Sequence, residues 1–274
     1  MTAYDDQVLA LSPDGYWKLD EASGLTFVDS STGGHDLVAG AGAVERYQIP
    51  GPSRQEIPYA LDFLNVNPPA PASGTVGQRA IGASFSVEAW FGAVGSIPSA
   101  FGILQKGYNV TEQRPWYSLG VDTTGFPHWW FRNSGGTDYK LTGVTPLNDA
   151  SYAARGPFHH VVGTYTAGTA DLYVDGRREA QLSVPNTGWG TGAQPLSLGV
   201  LASSVWGGPW LAAVAIYPGQ LSASQVQSNF ELGITGNAFT PTQLADLIAQ
   251  LSLDLVEIRD AVIQRKTTPG QVPF

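Results

Sequence analysis

Short apolar and β-branched runs, each closed by Gly, Pro, Asn or Asp, recur from residue 8 to residue 233. That pattern predicts strands and turns. The clearest case is 158–180, FHHVVGTYTAGTADLYVDGRREA. Residues 160–165 read as a strand, 166–169 as a turn and 171–174 as a second strand. Asp175-Gly176 is a two-residue link suited to a type I′ hairpin, and a third strand starts at Arg177. In 85–91, FSVEAWF, Phe85, Val87, Ala89 and Phe91 fall on one face, with Ser86, Glu88 and Trp90 on the other. Val162 and Thr164 alternate with Val161 and Tyr165 in the same way. A meander of this kind needs a second layer to bury its apolar face. The spacing of strands and turns predicts an antiparallel sandwich or jelly roll.

The remaining stretches fill in the order. Residues 8–12 are an apolar lead-in to the turn Pro13-Asp14-Gly15. Residues 16–21 alternate as a strand, 26–28 make a short strand and 29–34 a turn. Residues 65–79 hold three prolines and two glycines, which predicts an exposed loop; 145–157 is a second long connection. Residues 221–232 carry helix signals: Ser222 as N-cap with Gln225 completing a capping box, Leu221 and Val226 as a hydrophobic staple, and Gly233 as the C′ residue.

Past a linker at 234–239 the character changes. Thr240-Pro241 is an N-cap followed by proline at the first helical position. From there to Lys266 the apolar positions Leu244, Ile248, Leu251, Leu255, Ile258 and Val262 alternate steps of four and three. This is a heptad seam, on a rod of roughly 39 Å. Leu247, Leu253, Val256 and Ile263 widen the stripe and favour three strands over two, hence a homotrimer. The competing reading is an amphipathic helix packed on its own sandwich. Residues 267–274, TTPGQVPF, cannot continue the helix and read as an extended tail, with Val272 and Phe274 as its anchoring apolar groups.

Charge narrows the partners. The net charge is −9, which argues against nucleic acid and against anionic lipid. Only 14% of residues are charged, against about 25% in an average domain. There are no cysteines, so neither disulfides nor a thiolate metal site is available. The first residues show neither a basic nor an apolar leader segment, and no apolar run reaches the ~18 residues of a membrane span.

Several pieces together resemble a known family. Tyr16-Trp17-Lys18-Leu19-Asp20-Glu21, then Asp29-Ser30-Ser31 and Gly33-Gly34-His35-Asp36-Leu37, look like the opening of laminin-G-like domains of the concanavalin A-like lectin/glucanase class. Ala60-Leu61-Asp62-Phe63, the FSVEAW strand, the 158–180 meander, Leu196-Ser197-Leu198-Gly199 and residues 211–217 follow in that family's order. The resemblance covers roughly residues 8–233 and implies a jelly-roll sandwich over 1–233; the oligomerising helix 240–266 and the tail 267–274 rest on the heptad seam and the prolines.

It also frames the chemistry. Glucanases of this class place two carboxyls about 5–5.5 Å apart around the scissile bond. This chain has no alternating triplet of acids, and Glu88 stands alone on its strand, so no enzyme activity is expected. His159 and His160 are neighbours and face opposite sides of a strand, which does not make a metal pair. No cofactor is expected. Many relatives bind calcium at a rim of oxygen ligands; here the resemblance points to Asp62 and Asn65, although the usual acidic loop is replaced by Pro-rich sequence. Eight tryptophans offer stacking surfaces for sugar rings, with Asn, Asp or His taking the hydroxyls. Trp189 and Trp206, in Gly/Pro-rich loops, are the first candidates, with Trp116 and His128 beside them. Of Trp129 and Trp130, at least one belongs in the core.

A lectin-like domain of low charge with its own stalk resembles bacteriophage tail-associated or capsid-appendage proteins. That context implies a virion location after synthesis in the host cytoplasm. The helix and tail would meet other virion proteins, and the sandwich a host-surface glycan. Two alternatives stand beside it: a purely structural decoration subunit, and a carbohydrate-binding module exported to a bacterial cell surface.

Overall fold

The structure is a computed structural model that describes residues 1–39, 44–63, 72–74, 84–92, 101–106, 115–133, 135–147, 158–185, 196–201 and 210–235. The chain divides into two units, Met1–Thr235 and Gly236–Phe274. The heptad helix, the tail with Val272 and Phe274, Trp189, Trp206 and Asn65 all lie outside the described residues.

In chain order the strands are β1 (Gly15–Trp17), β2 (Thr26–Phe27), β3 (Leu37–Val38), β4 (Val44–Pro50), β5 (Tyr59–Phe63), β6 (Ala72–Gly74), β7 (Ser84–Gly92) and β8 (Phe101–Lys106). There follow β9 (Tyr117–Val121), β10 (Pro127–Arg132), β11 (Asp138–Thr142), β12 (His159–Thr166), β13 (Thr169–Val174), β14 (Arg177–Ser183), β15 (Leu196–Leu201) and β16 (Trp210–Tyr217). The helix α1 (Ala3–Ala10) precedes them and α2 (Ala223–Ile234) follows. The strands form two eight-stranded sheets. The first runs β14-β13-β12-β7-β16-β5-β4, with β1 also on β16; the second runs β11-β10-β9-β8-β15-β6-β3-β2. The strand pairs are antiparallel, from β12 on β7 to β10 on β9. This is an all-β sandwich.

Alternation along the strands decides what lies between the sheets. Phe85, Val87, Ala89 and Phe91 join the central core, while Trp90 joins a second apolar cluster on the outer side of the first sheet. The split is the one read from FSVEAWF. The central core also takes Trp129, which is fully buried. Its indole packs on Phe85 at 5.4 Å and Phe131 at 5.7 Å. Gly163 makes room for it, since a Cβ there would meet the indole at 2.5 Å. The β13–β14 link has the expected form, with Asp175 and Gly176 both at positive φ, 48° and 76°.

The second apolar cluster needs a cover, and two helices supply it. α2 starts as read, with Ser222 capping, Gln225 closing the box, and Leu221 and Val226 buried together. Ser86 Oγ donates to Gly219 O (3.0 Å) and accepts from Leu221 N (2.8 Å), fixing the approach.

Four expectations are corrected. Gly233 is not the C′ residue: the helix runs on to Ile234, and Gly233 is a contact glycine whose Cβ would meet the Trp90 ring at 2.2 Å. The lead-in at 8–12 belongs to a helix that begins at Ala3, held by a reciprocal Thr2–Asp5 capping box. The strand expected over 16–21 ends at Trp17, and Leu19 sits at φ 59°. Within the expected loop 65–79, Ala72–Gly74 pairs with β15 and β3 as a strand; small side chains let the backbone pairing decide there.

Candidate functional site

Two polar constellations stand out, one on the outer face of each sheet. On the first sheet, Glu88 is fully buried. Its Oε1 accepts from Tyr4 Oη and His160 Nε2, both at 2.8 Å. Its Oε2 accepts from Tyr217 Oη at 2.7 Å and Asn229 Nδ2 at 2.9 Å. Trp90 Nε1 donates to Tyr4 Oη at 3.1 Å. Burial alone would push the Glu88 carboxyl up. The facing His160 and the hydrogen bonds from His160, Tyr217 and Tyr4 outweigh that and hold it below the ordinary 4.5. These donors come from α1, β12, β16 and α2, so the carboxylate fastens both helices to the sheet. His159 points the other way, to Asp175 Oδ2 at 2.8 Å.

Beside α1 lies an open cleft of about 230 Å³, lined by Asp5, Tyr16, Lys18, Glu56 and Tyr59 among others. Two of its acids, Asp5 and Glu56, are engaged. Asp5 holds Lys18 Nζ at 2.9 Å and Tyr16 Oη at 2.8 Å, and Glu56 accepts from Tyr4 N at 2.8 Å.

The outer face of the second sheet is different. In β10, Trp129 and Phe131 enter the core, so His128, Trp130 and Arg132 fall on the opposite face. Trp130 lies in register between Ser118 and Lys140, and His128 between Gly120 and Thr142. Lys140 and Thr142 are exposed and Trp130 is half-buried. Arg132 N donates to Trp116 O at 2.8 Å, which brings the half-buried Trp116 to the end of this patch. Arg132 itself is held by Asp138 at 3.3 Å and by Gly136 O at 3.2 Å. Two polar atoms are out of solvent without a partner: His128 Nδ1 and Trp130 Nε1. Burial pushes the His128 imidazole down to about 3, the Lys140 charge adding to the effect against Asp122. The ring is therefore neutral near pH 7, one nitrogen donating and the other accepting.

The sequence candidates are thus separated. Trp116 and His128 belong to one face, though His128 is only 5% exposed. Of the pair Trp129 and Trp130, Trp129 is the core residue and the register of β10 puts Trp130 on the outer side. Asp62 does not fit a cation. It is buried, and its carboxylate is committed to Arg46, with Nε donating at 2.8 Å. Among the described residues no group of three or more His, Asp or Glu is arranged to hold a metal ion.

Comparisons with known proteins agree with the sandwich fold. Solved structures with the same fold include the binding domain of botulinum neurotoxin serotype G, at TM-score 0.63 and 12% identity over 83% of this chain and 53% of that one. Another is the ligand binding domain of botulinum neurotoxin serotype D in complex with N-acetylneuraminic acid, at TM-score 0.56 and 13% identity over 84% and 52%. A sialidase of Trypanosoma rangeli matches at TM-score 0.54 and 16% identity, over 81% of this chain and 33% of that one. The chain therefore spans about half the length of the toxin domains it matches. No curated protein gives a significant match. The family model Laminin_G_3, described as the concanavalin A-like lectin/glucanases superfamily, matches residues 72–227. That match covers more than half of the chain and takes in strands of both sheets, and the chain belongs to this family.

Proposed function

We propose that this protein is a non-catalytic, virion-associated binding protein of the phage minor tail or head-appendage type, which displays a lectin-like sandwich to host-surface glycans. The observation that carries the reading is the outer face of the second sheet. It offers the half-buried indole of Trp130, with the exposed Lys140 and Thr142 on the paired strand and a neutral, buried His128 beside it. An aromatic face with a few convergent polar atoms is the usual composition of a sugar site. A structurally similar toxin domain holds N-acetylneuraminic acid, which supports a saccharide as the ligand class.

The non-catalytic part is supported by the way the buried acids are spent. Glu88, Asp5, Asp29, Asp62 and Asp171 each bind protein donors. A retaining or inverting mechanism needs two carboxyls free to act on the bond. The heptad seam of Leu244, Ile248, Leu251, Leu255, Ile258 and Val262 supports a homotrimer, in which three weak sites would gain avidity.

A glycan array probed with the full chain tests the ligand class: retention on a defined saccharide is expected, and retention on none would leave only a structural decoration role. Light scattering tests the assembly. The full chain should give three times its 29.0 kDa mass, and Leu251→Lys with Leu255→Lys should reduce it to a single chain. A monomeric full chain would refute the self-sufficient trimer.

A further inference from the structure

We propose that the β2–β3 corner of the second sheet docks a protein partner whose apolar side chains are bordered by Lys or Arg. This goes beyond the glycan reading and does not rest on it. β2 is the last strand of its sheet. Phe27 and Leu37 pair across β2 and β3, and both enter the central core. Thr26 and Val38 pair beside them and so face outward. Val38 is 54% exposed, Val28 54% and Leu25 41%. Among the described residues seven large hydrophobic side chains are exposed, and three of the seven lie on these two short strands or directly beside them. Single exposed apolar side chains are ordinary, whereas a group at one corner of a sheet marks an interaction surface.

The rim sets the chemistry of the partner. Glu21 Oε1 accepts from Val28 N at 3.0 Å, and Asp36 Oδ1 accepts from Asp29 N at 2.9 Å, so both carboxylates sit at the Val28 end of the patch. Asp20 and Asp36 are exposed and Glu21 is half-buried. Burial pushes the Glu21 carboxyl up, and the charges of Asp20 and Asp36 add to that push against backbone hydrogen bonds, one of them from Val28. The three acids therefore repel one another, and among the described residues none of them forms an ion pair. Lys18 is taken by Asp5. Tyr47 Oη donates to Gly24 O and Gln48 Nε2 to Asp20 O, which brings β4 beside this turn, but the Arg46 of β4 is taken by Asp62.

An apolar centre with an unneutralised acidic rim is complementary to an apolar surface that carries cations, and such a partner also relieves the repulsion among the acids. A second copy meeting this corner face to face would set acid against acid. The occupant that fits is therefore a basic protein surface.

Anisotropy titrations of the full chain at low salt with three synthetic peptides test the inference: alternating Lys–Val, alternating Lys–Ser and alternating Glu–Val. The Lys–Val peptide should bind at least about tenfold more tightly than either of the others, and added salt should weaken it. Val28→Thr with Val38→Thr keeps the β-branched shape and should weaken the Lys–Val peptide by about tenfold or more. Glu21→Gln with Asp36→Asn keeps the oxygens that accept from Val28 N and Asp29 N; it should weaken the peptide and flatten its salt dependence. Both double variants should melt within a few degrees of the parent, and if one unfolds, the parent's ranking of the three peptides decides alone. Equal binding of the Glu–Val peptide, Lys–Val binding indifferent to both folded variants, or no binding of the Lys–Val peptide overturns the inference. A particle mass, measured by light scattering without peptide, that falls on Val28→Thr with Val38→Thr would give the corner to a second copy and overturn it as well. Saccharide retention is read separately, so none of these outcomes decides the glycan reading.

Discussion

Glu88→Ala is expected to lower the unfolding free energy by about 3 kcal/mol or more, because it removes a buried carboxylate that accepts four hydrogen bonds. The change strands four donors in a dry site: Tyr4 Oη, His160 Nε2, Tyr217 Oη and Asn229 Nδ2. An unsatisfied buried polar group costs about 1–3 kcal/mol, and the four do not add because they can relax together. Glu88→Gln separates charge from shape. It keeps the volume but turns an NH2 group toward two donors, so it should also destabilise. Denaturant melts followed by fluorescence measure both. A midpoint within error of the parent for Glu88→Ala would contradict the fastening role.

The same carboxylate sets an acid limit. Its folded-state pKa lies below the ordinary 4.5, so it binds fewer protons folded than unfolded in that window. Its stabilisation is therefore complete above the unfolded value and is lost as pH falls through the depressed folded value.

Trp129→Ala is the second large effect, expected at about 3–5 kcal/mol. The indole is fully buried between the sheets, packs on Phe85, Tyr117 and Phe131, and donates from Nε1 to Thr164 O at 3.2 Å. Gly163 on the facing sheet has no side chain to fill the space left behind. Thermal unfolding should show a drop of several degrees or more. A stability close to the parent would mean that Trp129 is not the central core residue described above.

Some of this was legible in the sequence because it is local. The period of two in FSVEAWF sorted Phe85, Val87, Ala89 and Phe91 from Trp90. The Asp175-Gly176 link and the Ser222–Gln225 box carry their own stereochemical signals. α1 also carried one, since Thr2 and Asp5 are spaced as a capping box; it was hidden by the short apolar content of the helix. β6 could not be seen, because Ala72-Ser73-Gly74 pairs through backbone alone.

The site was less legible than the fold. Glu88 looked like a solitary acid because its partners lie as far away as residues 4 and 229. In Pro127–Arg132 the sequence offered two adjacent tryptophans with no sign of which was inside. That depends on the register of β10 against β9 and β11, which places Trp130 between Ser118 and Lys140. Asp62 looked like a free rim ligand until the pairing of β4 with β5 set Arg46 against it.

The most direct test of the account is saccharide binding by Trp130→Ala, compared with the full parent chain on the array spots that the parent holds. Trp130 lies outside the central core, so the variant should melt within a few degrees of the parent. Loss of the ring face, worth about 0.5–1.5 kcal/mol in aromatic contacts, should weaken binding by about twofold to tenfold. Undiminished binding by a folded Trp130→Ala protein would contradict the placement of the site on this sheet.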